Sequence, residues 1–422
     1  MSRKSSLIAI LVMILMMAAC AHQPAREETR RYTVLMSTNK AGSQVVTTRG
    51  DETTVDFEFN DRGRGPKLHT VVRTDARGMP VSLVTTGNDY MKTPVEERLT
   101  TTSDTASWKS SSETGEGKAG AFYSSMYGSP EESAILARAL LKAGGRLALH
   151  PGGEASIRKV DEVTLRGTRV TSYEISGLAF TPYEVWLDDD LNLFGTVNSW
   201  SSTIREGFEG DVKQLVTAQD ARAESRAAEV AKRLTNAPVR VIVVNARVFD
   251  PRTGRLSEPT TVVTAGNRIA SVGVDSPYSA AEFIDAKGGV LLPGLWDMHT
   301  HLSDTDGLLN IAAGITSARD LGNDSDTVVA LKEKFDSGEA IGPRLVLAGL
   351  VDGPGPFQGP TNLLVATEEE ARKAIDFLVS RKYEGLKIYS SIKPELVPFL
   401  TSYAHEKGLR VSGHIPAGMT AE

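Results

Sequence analysis

Apolar and polar residues alternate in short segments through the first half of the chain, and turn residues separate these segments. This pattern predicts half-buried β-strands. The predicted strands are 31–36, 44–49, 53–59, 68–74, 169–176, 183–187 and 193–200. Helical spacing over 131–143, ended by Gly144, predicts one helix. Residues 100–120 are mostly Ser, Thr, Gly and charged residues, which predicts an exposed loop or irregular hairpins. We expect a curved antiparallel sheet.

The periodicity changes in the second half. Residues 218–234 are rich in Ala, Arg and Glu and predict a helical connector that Pro238 closes. Short strands return over 239–290, and from residue 291 strands alternate with helical stretches, which predicts β/α units and a parallel sheet. The predicted strands of this last region are 290–301, 316–320, 344–348, 385–390 and 410–415, and its helices are 307–313, 325–337, 367–381 and 394–407.

Composition limits the classes of protein that this chain can be. Its 422 residues allow two or three domains and are enough to bury a large core. The net charge is −6 and acidic and basic residues are intermixed, which gives no sign of a nucleic-acid-binding surface. The single cysteine excludes a disulfide within the chain. Function must therefore be sought in local motifs.

The amino terminus has the pattern of a targeting segment. A basic start and an apolar stretch, 7–17, which is too short to span a bilayer as a helix, precede Cys20. This order resembles a bacterial lipoprotein signal, in which cleavage leaves Cys20 as the lipidated first residue. We expect a lipid-anchored protein of the cell envelope that faces the periplasm, and Ala21 favours the outer membrane. The alternative is an ordinary secretory signal with an incidental cysteine.

Segment 291–301 carries the most specific chemistry in the sequence. Its apolar run ends in Asp297, His299 and His301, which are spaced two apart. On a β-strand this spacing places all three side chains on one face. Two imidazoles at the end of a buried strand can ligate a divalent metal ion, and Asp297 can orient a ligand from behind it. The alternative is a pair of packed histidines.

This segment resembles the first barrel strand of the amidohydrolase superfamily, in particular its imidazolonepropionase-like and Xaa-Pro dipeptidase-like branch. The similarity starts upstream, with VIVVNARVFD at 241–250, AGNRIASVG at 265–273 and IDAKGGVLLPG at 284–294, and runs to the C-terminus. It covers somewhat less than half of the chain. The resemblance implies a (β/α)8 TIM barrel with part of a small β-sandwich before it, and an active site at the carboxyl ends of the barrel strands.

The expected fold class is therefore multidomain, with an N-terminal β-rich (α+β) domain, a small β-sandwich segment and an incomplete (β/α)8 TIM barrel. The predicted domains are a lipoprotein signal peptide (1–20), the β-rich domain (21–217), a helical linker (218–238), the β-sandwich segment (239–290) and barrel strands 1–5 (291–422). A complete barrel takes about 250 residues, so the later strands are not in this sequence. A fragment of a longer coding sequence is the favoured interpretation, and completion by a partner chain or a decayed enzyme are the alternatives.

The resemblance also implies roles for particular residues. Lys387 lies between apolar neighbours on predicted strand four, where the family's lysine reacts with carbon dioxide to give a carbamate that bridges two metal ions; burial favours this by lowering the pKa of the amine. His414, at the end of strand five, would ligate the second ion, and Asp320, at the end of strand two, would support the site. The predicted cofactors are two divalent ions, zinc, held by His299, His301, carbamylated Lys387 and His414, of which the last two are the predicted catalytic residues. The alternatives are a solvated lysine and a packed histidine.

Metal-assisted hydrolysis would follow from such a centre. The predicted function is that of a metal-dependent amidohydrolase cleaving a non-protein C–N bond in a small amide, dipeptide or cyclic amide, with impaired activity because the catalytic aspartate of a later strand is missing. One alternative is a non-catalytic cell-envelope lipoprotein whose β-rich domain binds a ligand or partner, and another is a carbohydrate or lipid carrier with a large apolar cavity. The predicted partners are the small-molecule substrate and, through the lipid anchor, a membrane; nucleic acid is excluded and a homo-oligomer is allowed.

Overall fold

The computed structural model describes residues 27–36, 38–236, 238–273, 282–303, 305–355 and 357–420. The chain divides into two compact units, Met1–Gln219 and Asp220–Glu422. The predicted signal peptide and Cys20 lie outside the described residues. Within the described residues, no helix combines the length and the apolar composition that crossing a membrane requires.

The first unit is built on a sheet of fifteen strands. They are β1 (Glu27–Met36), β2 (Asn39–Arg49), β3 (Glu52–Phe59), β4 (Lys67–Thr74), β5 (Pro80–Asn88), β6 (Pro94–Thr101), β7 (Thr105–Lys109), β8 (Thr114–Lys118), β9 (Phe122–Tyr123), β10 (Arg146–His150), β11 (Glu154–Leu165), β12 (Thr168–Ser176), β13 (Tyr183–Asp188), β14 (Leu193–Thr196) and β15 (Ser201–Arg205). Strand β1 lies in the middle, between β2 and β15. The other strands follow in sequence order outwards, to β8 at one edge and β9 at the other. The predicted antiparallel sheet is thus present, with a parallel pair only at β9 and β10.

One helix, α1 (Pro130–Lys142), packs on one face of this sheet. Its buried side chains, which include Ile135 and Leu140, join strand residues such as Val46 and Leu99 in one apolar core. A second core surrounds the fully buried Trp186. Its indole N–H donates to Gln219 Oε1 at 2.6 Å, on the first turns of α2 (Val212–Leu234), the predicted connector, which begins six residues earlier than expected.

Of the two alternatives predicted for 100–120, an exposed loop is wrong and a hairpin is present, although it is regular, because β7 and β8 pair antiparallel there without a register shift. Gly115 and Gly117 lie within β8. A side chain at Gly115 would collide with the ring of Trp108, and one at Gly117 would collide with the ring of His150. The glycines of this segment therefore make room for two rings that stack on each other with centroids 4.9 Å apart.

Two concavities of about 480 and 410 Å³ occur in the first unit, and both are open to solvent. The larger one lies on the face of strands β6 to β8 that carries Arg98, Lys109 and Glu116. A carrier of lipids or carbohydrates was expected to contain a large apolar cavity. Neither concavity supports that hypothesis.

The described residues of the second unit form two sheets. The first has six strands, β16 (Val241–Asp250), β17 (Arg255–Leu256), β18 (Thr260–Ala265), β19 (Arg268–Val272), β20 (Glu282–Asp285) and β21 (Val290–Leu291). Its central strand, β16, pairs antiparallel with β17 and β18 and parallel with β20 and β21. This sheet occupies the region predicted as the β-sandwich segment.

The second sheet has five parallel strands in sequence order. They are β22 (Leu295–Thr300), β23 (Ile315–Asp320), β24 (Arg344–Val351), β25 (Gly385–Ile388) and β26 (Arg410–Gly413), and the helices between them are α3 (Asp306–Ala312), α4 (Ser325–Ser337), α5 (Glu368–Ser380) and α6 (Val397–Glu406), the last preceded by a 3-10 turn at Pro394–Leu396. A capping box starts α5, since Thr367 and Glu370 exchange side-chain and backbone hydrogen bonds. The alternation of parallel strands and helices agrees with the predicted β/α units.

The single buried strand predicted over 290–301 is wrong in two respects. It is interrupted at 292–294, so that β21 belongs to the six-stranded sheet and only β22 belongs to the parallel one. Strand β22 is also an edge strand that pairs with β23 alone among the described residues. Its side chains are therefore largely exposed, Trp296 to 45% and Met298 to 51%.

Candidate metal centre

The carboxyl ends of parallel strands lie at one edge of a sheet, and this edge carries the predicted site residues. The residues at or just beyond the five strand ends are His299, His301, Asp320, Asp352, Lys387 and His414. Each predicted metal ligand thus lies on the expected strand. The distances between these side chains decide which of them can hold the same ligand.

Lys387 and His299 are in contact. The Nζ atom of Lys387 lies 3.3 Å from Nε2 of His299, and the lysine is only 3% exposed. Burial lowers the pKa of Lys387; the charge of Asp320 opposes this and that of Arg319 adds to it. Burial likewise lowers the pKa of His299, and the charges of Lys387, His301 and His414 lower it further. Both shifts act in favour of the neutral forms, which are the forms that react with carbon dioxide or bind a metal ion.

His301 is oriented by the end of β23. Its Nδ1 donates to the carbonyl oxygen of Gly322 at 2.6 Å, because a carbonyl can only accept. The Nε2 of the neutral ring then carries the lone pair, and the ring centroid lies 5.4 Å from that of His299. The buried carboxylate of Asp320 accepts from the backbone N–H groups of Leu302 and Gly322, both at 3.1 Å. Asp320 thus fixes the backbone directly after His301 and at Gly322, whose carbonyl accepts from the His301 ring.

Burial raises the pKa of Asp320, although the hydrogen bonds that it accepts oppose the shift. The side-chain amide of Asn323 is a third donor, at 2.8 Å. These three donors tie the Asp320 carboxylate to the segments that follow β22 and β23.

His414 and Asp297 were predicted as a metal ligand and as the residue that orients a ligand. His414 is exposed beyond β26; its ring stacks on Tyr389 at 4.3 Å between centroids, and its Nδ1 lies 3.4 Å from Ser390 Oγ. Asp297 accepts from the backbone N–H of His299 at 3.0 Å, not from an imidazole. It therefore fixes the strand end and does not orient a ligand ring.

No three His, Cys, Asp or Glu side chains in the described part of the chain lie close enough to hold a metal ion by themselves. The imidazoles of His299 and His301 offer two nitrogen donors, which are ligands that zinc commonly takes in proteins. The buried lysine is the remaining group beside them, and only its carbamate form would add anionic oxygens. The residues present fit a metal centre on the condition that Lys387 is carbamylated.

Asp352 was not predicted as a site residue. It is fully buried just after β24, and its carboxylate accepts from the backbone N–H groups of Gly353, Gly359 and Ser391 at 2.8, 2.6 and 2.8 Å. It therefore joins both ends of the loop 353–360, which is rich in Gly and Pro, to the segment that follows Lys387. An acidic residue directly before such a loop, at the end of a barrel strand, was the signal that could have revealed it.

The chain was compared with protein families, curated proteins and solved structures. No protein-family model matches it. A dihydroorotase from Syntrophotalea carbinolica is 44% identical over 66 residues, which are 16% of this chain and 15% of that enzyme. A 5'-deoxyadenosine deaminase from Methanosarcina mazei is 42% identical over 67 residues, 15% of each protein. The chain thus spans about 15% of the length of these curated relatives.

Solved structures share less sequence with the chain. A bottromycin amidohydrolase is 22% identical, with 47% of this chain and 46% of that one covered and a TM-score of 0.41. A Xaa-Pro dipeptidase with bound methionine is 20% identical, with 42% and 57% covered and a TM-score of 0.38. At these TM-scores neither likeness supports a conclusion by itself.

The curated relatives are enzymes that act on carbon–nitrogen bonds. Their similarity to this chain confirms the resemblance to the amidohydrolase superfamily.

Proposed function

We propose that this chain carries the metal-binding edge of an amidohydrolase that cleaves a carbon–nitrogen bond in a small amide, a dipeptide or a cyclic amide. The observation that supports this most is the contact between Lys387 and His299, with His301 beside it. A buried ammonium group next to an imidazole pair is unfavourable, which favours the neutral amine, and the carbamate that this amine forms is an anion whose charge metal ions would balance.

Two zinc ions are the proposed cofactor. His299, His301, carbamylated Lys387 and His414 would hold them, and when bound they would supply a hydroxide and polarise the scissile carbonyl. Lys387 adds its neutral amine to carbon dioxide, so that an N–C bond forms and one proton leaves. Asp320 keeps the backbone around His301 in place. No general acid or base is assigned among the described residues, and we expect weak or no turnover from this chain alone.

Zinc content and hydrolysis together test this proposal. The purified chain, incubated with zinc and bicarbonate and then desalted, should retain zinc, and His299→Ala should lose most of it. His405→Ala is the matched control, because His405 is exposed on α6 away from the strand ends. Turnover of a panel of dipeptides and dihydroorotate should be weak or undetectable. A chain that retains no more zinc than H299A would disprove the metal centre, and robust dipeptidase activity would contradict the expectation of weak or no turnover.

We also propose that the protein is lipid-anchored at Cys20 and faces the periplasm, with outer-membrane sorting favoured by Ala21. The support is the sequence order of a basic start, a short apolar stretch and the single cysteine. Expressed in a bacterium, the chain should fractionate with membranes and incorporate labelled fatty acid, while Cys20→Ser should lose the label. A wild-type chain that stays unlabelled and soluble in the periplasm would favour an ordinary secretory signal.

A further inference from the structure

A group of buried polar side chains in the first unit lacks partners. In the part of the chain that the structure describes, Arg30 Nε, Gln44 Nε2, Glu131 Oε2 and Arg205 Nε are buried without a hydrogen bond. Gln44 and Glu131 are 0% exposed. Buried donors and acceptors are normally satisfied, because the loss of water without a replacement destabilises the fold. Four unsatisfied atoms in one region therefore need an explanation.

The sheet register brings these residues together. Tyr32 on β1 pairs with Gln44 on β2 and with Arg205 on β15, so the three side chains form one row on one face. Arg30 lies two positions before Tyr32 and therefore on the same face of β1. Helix α1 approaches this row, since the backbone N–H of Glu131 donates to Gln44 Oε1 at 3.3 Å. We call Arg30, Gln44, Glu131 and Arg205 the polar cluster.

Opposite charges meet in the polar cluster. Glu131 Oε1 accepts from Arg138 at 3.1 Å, while its other oxygen has no hydrogen-bond donor. Burial raises the pKa of Tyr32 to about 12, and the charge of Glu131 adds to this, whereas the charges of Arg205 and Arg30 oppose it. All three charged groups therefore act on the same phenol and lie within electrostatic reach of it.

The open concavity of about 410 Å³ borders the polar cluster. Arg30 and Arg205 both line it, together with Asp188 and Asn192 from the turn between β13 and β14. The terminal nitrogens of the two arginines are paired, Arg30 with Glu28 at 3.0 Å and Arg205 with Asp188 at 2.9 Å. Their Nε atoms are the donors left unused beside an opening to solvent.

We propose that the polar cluster binds a small zwitterion, an amino acid or a dipeptide. The Nε–H groups of Arg30 and Arg205 and the amide of Gln44 donate to the ligand's carboxylate, and Glu131 Oε2 accepts from its ammonium group. Both ligand charges are needed, because a simple anion leaves Glu131 unsatisfied and a simple cation leaves the guanidinium groups unsatisfied. Because Gln44 and Glu131 are fully buried and do not line the concavity, binding requires side chains that line it to move when the ligand enters.

Calorimetric titration of the full chain tests this proposal, with EDTA present so that no metal centre contributes. The probes are alanine, alanyl-alanine, N-acetylalanine and alanine amide. We expect alanine or alanyl-alanine to bind, and the tighter of the two identifies the ligand class. The forms that lack one charge should bind at least about tenfold more weakly, because each loses charge-assisted hydrogen bonds.

Variants separate binding from folding. Glu131→Gln keeps the shape of the side chain but removes its charge, and it should weaken zwitterion binding at least about tenfold while thermal unfolding stays cooperative. Glu154→Gln is the matched control, because Glu154 is exposed on the same sheet and paired with Arg146. It should bind like the parent chain.

Three results would overturn the proposal. They are no binding of either zwitterion, equal binding of the forms that lack one charge, and a high-resolution structure of the chain with alanine in which only ordered water contacts the four atoms. Because the titration contains EDTA, none of these results depends on the proposed hydrolase function.

Discussion

Lys387→Met should leave the chain unable to hold zinc at the strand ends, while the metal-free protein becomes more stable. Methionine has a similar length and is apolar, so it fills the space of the lysine without a buried amine. The free energy of unfolding in EDTA should rise by about 1–3 kcal/mol, the usual desolvation penalty of a buried polar group. Zinc retention after incubation with zinc and bicarbonate should fall by more than half, since no three His, Cys, Asp or Glu side chains in the described residues form a site alone.

Lys373→Met is the matched control for this experiment. Lys373 lies on α5 with its side chain 73% exposed and is paired with Glu369. Its replacement should change neither zinc retention nor, beyond a few tenths of a kcal/mol, stability. If K387M retained as much zinc as the parent chain, the lysine would not be a ligand, and the carbamate would have to be abandoned.

Asp352→Ala should destabilise the second unit by about 3 kcal/mol or more, because three backbone N–H groups would lose their buried acceptor and each costs about 1–3 kcal/mol. These donors are the backbone N–H groups of Gly353, Gly359 and Ser391. The loop after β24 should also lose protection in hydrogen exchange, because its two ends would no longer share an anchor. Denaturant unfolding and amide exchange measure the two effects.

Two variants calibrate the Asp352 result. Asp352→Asn keeps one oxygen acceptor and should show a smaller loss than D352A. Asp336→Ala removes an exposed carboxylate on α4 that pairs with Lys332, and it should cost at most about 1 kcal/mol. A loss below about 1 kcal/mol for D352A would mean that water replaces the carboxylate and that the loop does not depend on it.

Strands in which apolar and polar residues alternate regularly could be predicted from the sequence. Strands with a polar residue at an inward-facing position could not. On β6 the inward residues are Val95, Glu97 and Leu99, and Glu97 is 0% exposed. Its carboxylate is satisfied by the hydroxyl of Tyr123 at 2.7 Å and the backbone N–H of Met126 at 2.8 Å. Such compensation comes from residues distant in sequence, so the local pattern does not reveal this strand.

In the candidate site, too, some features could be predicted from the sequence and others could not. The strand positions of His299, His301 and Lys387 follow from spacing and from the order of β/α units, and the structure places Lys387 against His299. The exposure of β22 could not be predicted, because it depends on which strands pair with its edge. Among the described residues, the hydrogen-bond donors to the Asp352 carboxylate are backbone N–H groups, which carry no residue-type signature. Its place directly before a Gly/Pro-rich loop marks the residue in the sequence, but its partners could not be predicted from a motif.

The central position of β1 has a consequence for how the first unit folds. Strands β2 to β8 can add to β1 one after another, each beside its sequence neighbour. The other edge of β1 stays bare until β15 arrives, and Tyr32 must reach the carbonyl of Leu193, 161 positions away. Pairing β1 with β15 closes a very long loop, and the conformational entropy lost in this closure makes the pairing the slow step of folding. A nascent or proteolysed chain that ends before β14 therefore offers a ready template for pairing with its own copies.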